Sequence, residues 1–574
     1  MTCARFLPLY RSMIRSLLAV AFGLVLISTP TVYAAELQRV MVGPFADAAQ
    51  ANRVLRHIQA HNIESYLMPV SGDQRWLSVG VFRQADNALA MQQRVAALDL
   101  AAPSVIVRDM NTGSPTAAQA SPSPTPPAPT SSTAETPGAL VFGSAPEATT
   151  PSQRPESQAL RYGIERVRME ASSLTRSSRP ADGGLSLRAE PYVLWSINES
   201  WEARVGARLE GYRQWGDQRL STVDADYAAT YLRYRDAHNR VTLGAQSVVW
   251  GRMDELSPND QLSVLDFSRS ILDDPAERRR VVPTVRWEHF HASGTHDLVW
   301  IPRFRAAEQA DEDSIWTWVD RRNGRLPGLA FDPATAPLIS NGRFNTHKPR
   351  SGGAGWRFSR WQRGVDYAVN VLYTPHSLPY FTLSDAARTT LFNNGDPSAL
   401  LSGAEPAFEV HYPRTWVLGS DLGFEASGVT WRFESAWLSD VPVTQRDTLA
   451  LETRQALRGA VGAEWFPGDA DLRVSLQLVG EALIDAGPVL DRTATLAVSG
   501  DIEQVFVPNH WQGRLRFSFG LDHSDRYINP ELSYIGAEPH EIYLGYHHFS
   551  GAERSIGGFY QHNDIITLGV RTRF

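Results

Sequence analysis

The sequence predicts an all-β transmembrane barrel of about 18 antiparallel strands, preceded by a small α+β domain. Three observations carry this. From Leu160 onward, segments of roughly 9 to 14 residues alternate apolar with polar or small side chains. Tight links between these segments alternate with long ones. The last segment keeps the alternation to its end, with Ile566, Leu568, Val570, Thr572 and Phe574 in step.

The elements follow in chain order. Arg5, Arg11 and Arg15 precede an apolar run over 16–28 that is too short to span a bilayer comfortably. Small residues around Ala34 complete the pattern of a secretory signal over 1–34. The only cysteine, Cys3, lies inside it, so the mature chain is expected to have no disulfide and no thiol chemistry. Lys348 is the only lysine, which excludes a Walker-type nucleotide site. The net charge of -7 argues against a basic nucleic-acid binder.

Residues 36–108 contain a repeat. Val42-Gly43-Pro44-Phe45 returns as Val79-Gly80-Val81-Phe82, and Ala48, Ala51 and Ile58 return as Ala85, Ala88 and Val95. Each copy reads as a strand followed by an amphipathic helix, with Ala51, Val54, Leu55 and Ile58 on one helical face. Further strands after each helix give the order βαββαβ, a ferredoxin-like sheet. The doubled pattern resembles the SPOR domain of bacterial cell-division and envelope proteins. That resemblance implies binding of peptidoglycan glycan strands through the sheet face opposite the helices. The residues it nominates are Gln38, Arg39, Tyr66, Gln74, Arg75, Trp76 and Ser78. Aromatic and polar side chains suit sugars, offering a flat apolar face together with hydrogen-bond donors.

Residues 109–159 are rich in Pro, Ser, Thr and Ala and poor in large apolar side chains, and so read as an extended linker. A coil of that length averages roughly 40 Å end to end.

The barrel follows from its strands. In 514–522, Leu515, Phe517, Phe519 and Leu521 take one face, and Arg514, Arg516, Ser518 and Asp522 the other. Tight links fall at Asn198-Glu199, Ala237-His238, Ser293-Gly294, Arg363-Gly364, Ser427-Gly428 and Pro467-Gly468. Long links cover about 251–278, 306–351 and 375–412. Trp195, Trp250, Trp287, Trp356, Trp416, Trp431 and Trp465 are expected to form interfacial girdles. The terminal alternation resembles the signal read by the outer-membrane barrel-assembly machinery. It implies that machinery as a partner during biogenesis, with outer-membrane lipid and lipopolysaccharide around the barrel.

The inward faces carry the candidate pore lining: Arg204, Arg208, Arg233, Arg286, Glu288, Arg432, Glu434, Arg473, Arg514, Arg516, Arg571 and Arg573. Glu202, Glu210, Glu464 and Glu481 are interleaved, so a salt-bridged wall is an equal alternative to a selective lining. The stretch 244–275 carries Asp254, Glu255, Asp260, Asp266, Asp273 and Asp274. It is similar to a stretch of porin-like and polysaccharide-export barrels, with Tyr412-Pro413-Arg414 in support. Its acids are expected mainly on a solvated external loop; folded inward, the loop would constrict a pore. Their spacing does not fit a calcium loop.

No H-E-x-x-H or G-x-S-x-G occurs, so no enzyme is expected, nor any cofactor. His547, His548, His562 and Asp564 are expected near one rim as polar packing. The leading reading is a transport barrel tethered to peptidoglycan. The alternatives are a structural tether with a plugged lumen and a barrel hydrolase.

Overall fold

In the computed structural model the described residues are 38–45, 54, 58, 66–67, 75–82, 91–92, 95–96, 98, 105–109, 159–176, 180–362, 364–468, 471–507, 510–537 and 539–573. The secretory signal, most of the linker, Gln74 and Phe574 lie outside them. The chain divides into two units, 1–146 and 147–574.

In the first unit, β1 (Gln38–Phe45), β2 (Tyr66–Leu67), β3 (Arg75–Phe82) and β4 (Val105–Asp109) form an antiparallel sheet in the order β2-β3-β1-β4. Val54, Ile58, Met91 and Val95 are helical. They pack with Val40, Val42, Phe45, Leu77 and Val79 into one buried cluster. Strand period and helix period thus meet on a shared apolar face.

The second unit is a closed antiparallel barrel of 18 strands. In order they are Ala159–Leu174, Gly183–Ser196, Trp201–Trp215, a strand in two pieces (Leu220–Tyr227 and Thr230–Arg235), Asn239–Gln246, Val282–His291, Gly294–Trp300, Ala354–Gln362, Val365–Pro375, Arg414–Ala426, Val429–Thr444, Leu451–Trp465, Leu472–Ile484, Ala494–Phe506, Trp511–Gly520, Asp525–Ala537, His540–Gly551 and Ile565–Arg573. The last pairs with the first, Ile565 opposite Leu174 and Arg573 opposite Arg166. Closure satisfies the backbone of the terminal strands, which would otherwise be edges.

At one end the links are short. Asn198 Oδ1 accepts from the amides of Ser200 and Trp201, and Asp236 Oδ1 from those of His238 and Asn239. Such side-chain turns replace ladder bonds where the chain reverses. Ser427-Gly428, both at positive φ, form the tight turn that matches strand twist. At the other end the long links 301–353 and 376–413 build a cap. It has helices Ala336–Asn341, Asp385–Phe392 and Ser398–Leu401, and a three-stranded sheet of Arg343–His347, Pro406–His411 and Tyr380–Leu383. Leu326, Leu338, Ile339, Leu400 and Phe408 form its core.

The outward face is apolar. Val205, Leu209, Trp287, Trp416, Leu418 and Leu568 are all exposed on it. Trp195 and Trp416 lie exposed near opposite ends of their strands, as a two-sided girdle requires. Trp250 departs from that expectation. It is 1% exposed, because the chain leaves the wall after Gln246 and turns into the lumen.

Candidate functional site

The lumen is organised by the inward loop 247–281. Its first part is held by apolar packing. Val248, Trp250, Leu262 and Val264 join inward residues of the wall, among them Val299, Leu372, Val417 and Leu438, in a buried cluster. Wall glycines make the approach possible. A methyl at Gly355 would sit 2.8 Å from the Trp250 ring, and one at Gly419 would overlap Asn259. Trp250 Nε1 donates to Asp297 (2.9 Å), whose carboxylate also takes both Nε and Nη2 of Arg286 at 2.9 and 2.8 Å.

Glu434 gathers the next turn of the loop. Its carboxylate accepts from the amides of Arg252, Met253 (2.8 Å) and Asn259 (3.3 Å), and from Ser257 Oγ (2.5 Å). Arg252 then reaches Asp421 and Asp366, the latter at 2.8 Å.

The far part of the loop is held by charge. Asp273 lies 2.9 Å from both Arg168 and Arg188 and 2.8 Å from Arg269 of the loop itself. Glu277 lies 3.0 Å from Arg168, and Asp266 lies 2.7 Å from Arg208. Asp274 pairs with Arg514 (2.9 Å) and Arg516 (3.3 Å). Arg516 also donates to the carbonyls of Ile271 and Leu272 and to Tyr527 Oη. Burial disfavours the ionised form of Asp273, but Arg168, Arg269 and Arg188 outweigh it and hold the carboxyl well below the usual range. Asp274 is lowered in the same way, burial being outweighed by Arg514 and Arg516. The expectation of a solvated acidic loop holds only for Asp254, which is exposed; Asp266 and Asp273 are buried, as is Glu277 beyond them. Charges removed from water demand such multiple partners.

The nominated lining residues fall into two groups. Arg208, Arg514, Arg516, Arg432 and Glu434 touch the loop; Arg432 lies 3.4 Å from Asp254 and 3.2 Å from Glu464. The others pair along the wall. Arg204 meets Glu165, Arg233 meets Glu202 at 3.3 Å, and Arg286 meets Glu288 at 3.2 Å. Arg473 lies 3.2 Å from both Asp501 and Glu503, and Arg571 lies 2.7 Å from Glu531 and 2.6 Å from Glu541. The side chain of Arg573 is outside the described set. Sequence reasoning missed Arg168, Arg188, Asp297 and Asp421. Their signal was present, since each occupies an inward position in an alternating strand.

Of the glycan candidates, Gln38 and Arg39 lie on β1, Tyr66 on β2, and Arg75, Trp76 and Ser78 on β3, with Ser78 opposite both Tyr66 and Met41. The histidine candidates separate. His548 Nδ1 lies 2.9 Å from Asp564, which also takes Arg176 and the Phe549 amide. His547 instead sits 2.9 Å from Tyr527 Oη in the lumen. His562, with Arg325, Phe559 and Tyr560, lines an external cavity of about 420 Å³.

No protein-family model and no curated protein matches the chain. Solved structures do. Salmonella typhi OmpF, in complex with daunomycin, is 10% identical, covers 73% of this chain and 98% of its own, and has a TM-score of 0.35. For Acinetobacter baumannii OccAB1 the values are 9%, 72%, 96% and 0.41. For the outer membrane channel DcaP of A. baumannii they are 10%, 72%, 98% and 0.34. These are proteins to which the chain is similar, and no residue correspondence follows at such identities.

Proposed function

We propose that this chain is an outer-membrane channel whose aqueous path is set by the loop 247–281, and that its N-terminal unit binds peptidoglycan. The observation that carries the channel reading is a closed barrel with an apolar outer face and a charged inner face, bridged by a loop bound to both sides of the lumen. Lipid on the outside and water on the inside is the environment such a wall fits. Ion selectivity is expected to be weak, because the lumen arginines are matched by carboxylates. The SPOR-like reading of 36–108 is supported by its repeat and by the order of its sheet.

The plugged tether remains the second reading, favoured by the apolar cluster between loop and wall. Conductance of the refolded full chain in planar bilayers separates the two. Small, stable openings are expected, and a variant with 252–279 replaced by a short turn should conduct several times more. Silence from both proteins would reject the channel.

A further inference from the structure

The cavity that His562 lines is built by four links between barrel strands, with Pro180, Gln218, Arg325 and Tyr560 one from each. Its floor is fixed. Tyr560 Oη donates to the Trp316 carbonyl (2.9 Å), Asn563 Nδ2 to that of Ile315 (2.6 Å), and the Ile315 amide to Gln214 Oε1 of the wall (3.0 Å). The turn from Asp320 to Arg325 forms one side. Its backbone bridge closes at 3.0 Å in both directions, Asp320 Oδ1 accepts from the Asn323 amide, and Gly324 makes the reversal at φ 60°. Phe331 is held by its amide, which donates to Glu553 Oε1 at 3.0 Å, while its side chain stays 49% exposed. The Arg325 guanidinium lies 5.0 Å over the Phe559 ring, and among the described residues no carboxylate pairs with it. Gln218 is held by its backbone, to Pro180 and to Gln214. Its side-chain amide has no hydrogen bond among the described residues.

We propose that this cavity binds a neutral oligosaccharide, with Phe331 as a stacking platform and Arg325, Asp320 and Gln218 as partners for its hydroxyls. A sugar hydroxyl both donates and accepts. Arg325 only donates, the Asp320 carboxylate only accepts, and the Gln218 amide does both. The apolar face of a pyranose suits an exposed aromatic ring. The volume of about 420 Å³ lies within the range of small-ligand sites. A second cavity of about 330 Å³ shares Gln218 and Asp320 with it, which gives room for more than one sugar unit. Charge selects against an anion. In the second cavity Arg219, Arg321 and Arg322 are offset by Asp217, Glu312 and Asp313, and Asp320 lines both spaces. A carboxylate or phosphate would meet these acids along with the arginines, whereas hydroxyls make use of both. Binding here needs no open lumen, so it stands apart from the channel reading.

The test applies the full-length refolded protein in detergent to an array of neutral and acidic oligosaccharides that carries no peptidoglycan sugars. Any bound glycan is then titrated in solution. Saturable binding of a neutral oligosaccharide is expected. Phe331→Ala should weaken it by about three- to tenfold, the size of an aromatic contact, and Phe331→Trp should retain it. Arg325→Gln, which keeps a donor but loses the guanidinium fork, should weaken it by a smaller factor. His291→Ala, in the separate histidine stack on the outer barrel face, should leave it unchanged. Heat-modifiable migration reports folding, and the exposed Phe331 serves if the Arg325 variant fails to fold. Three outcomes overturn the proposal: no neutral glycan bound, acidic glycans alone bound, or equal affinity in the folded Phe331→Ala variant.

Discussion

Glu434 and Trp250 hold the loop by different physics. Glu434 is a buried carboxylate that satisfies three backbone amides and one hydroxyl. Truncation leaves those donors without their acceptor, at a cost of about 1 to 3 kcal/mol for each buried group that water cannot reach. Glu434→Ala is therefore expected to loosen the loop and raise single-channel conductance with frequent flicker. Glu434→Gln, which keeps an acceptor oxygen, should fall between. Trp250 acts by shape, filling the slot above Gly355. Trp250→Ala removes a large buried side chain, worth roughly 3 to 5 kcal/mol in a well-packed site. Gly355→Val, which crowds the same indole from the wall, should disturb the same docking, and both changes are read as conductance. Unchanged conductance in all of them would show that the loop does not set the path.

At the scale of elements, the loop combines an apolar anchor with a buried charge cluster, and its response to acid follows from the cluster. Asp273 and Asp274 have carboxyls lowered by the arginines around them. Groups lowered on docking stabilise the docked state fully above the usual carboxylate range, near pH 4, and lose that contribution only as pH falls through the lowered values. Burial raises Asp260, so the docked loop takes up that proton earlier than a free loop would, and mild acid favours docking there. Conductance is therefore expected to stay constant from neutral pH down to about 5, and to change only below about 4. A transition near pH 6 would contradict this charge assignment. The strands themselves were legible in the sequence because their rules are local. Leu515, Phe517 and Phe519 alternate with Arg514, Arg516 and Ser518, and turn residues mark the short ends. The docking of the loop was not legible, because its partners are remote. Glu277 meets Arg168 across 109 residues of chain, and Ile271 meets Arg516 across 245. Six acids on a loop read the same whether water or arginine surrounds them. Trp250 shows the same ambiguity, since an indole suits a lipid interface and a lumen slot equally.

At the scale of the whole molecule, the two units carry separate chemistries, and each proposed activity should survive loss of the other. The proposed wall binding rests on β1, β2 and β3, the proposed conductance on the barrel and its loop. Trp76→Ala with Arg39→Ala removes an aromatic face and a cation from the proposed glycan surface, where an aromatic contact is worth about 0.5 to 1.5 kcal/mol beyond burial. The full-length chain in detergent is expected to co-sediment with purified sacculi, and this pair of changes should lower the bound fraction several-fold while leaving conductance as it was. Glu434→Ala should do the reverse. Because the two activities are proposed for separate units, the combined variant should show both effects at their single-variant size. A wall-binding variant that altered conductance, or sacculi that closed the channel, would mean that the N-terminal unit regulates the barrel rather than anchoring it. Failure of the parent chain to sediment with either intact or amidase-treated sacculi would remove the peptidoglycan reading and leave the channel reading untouched.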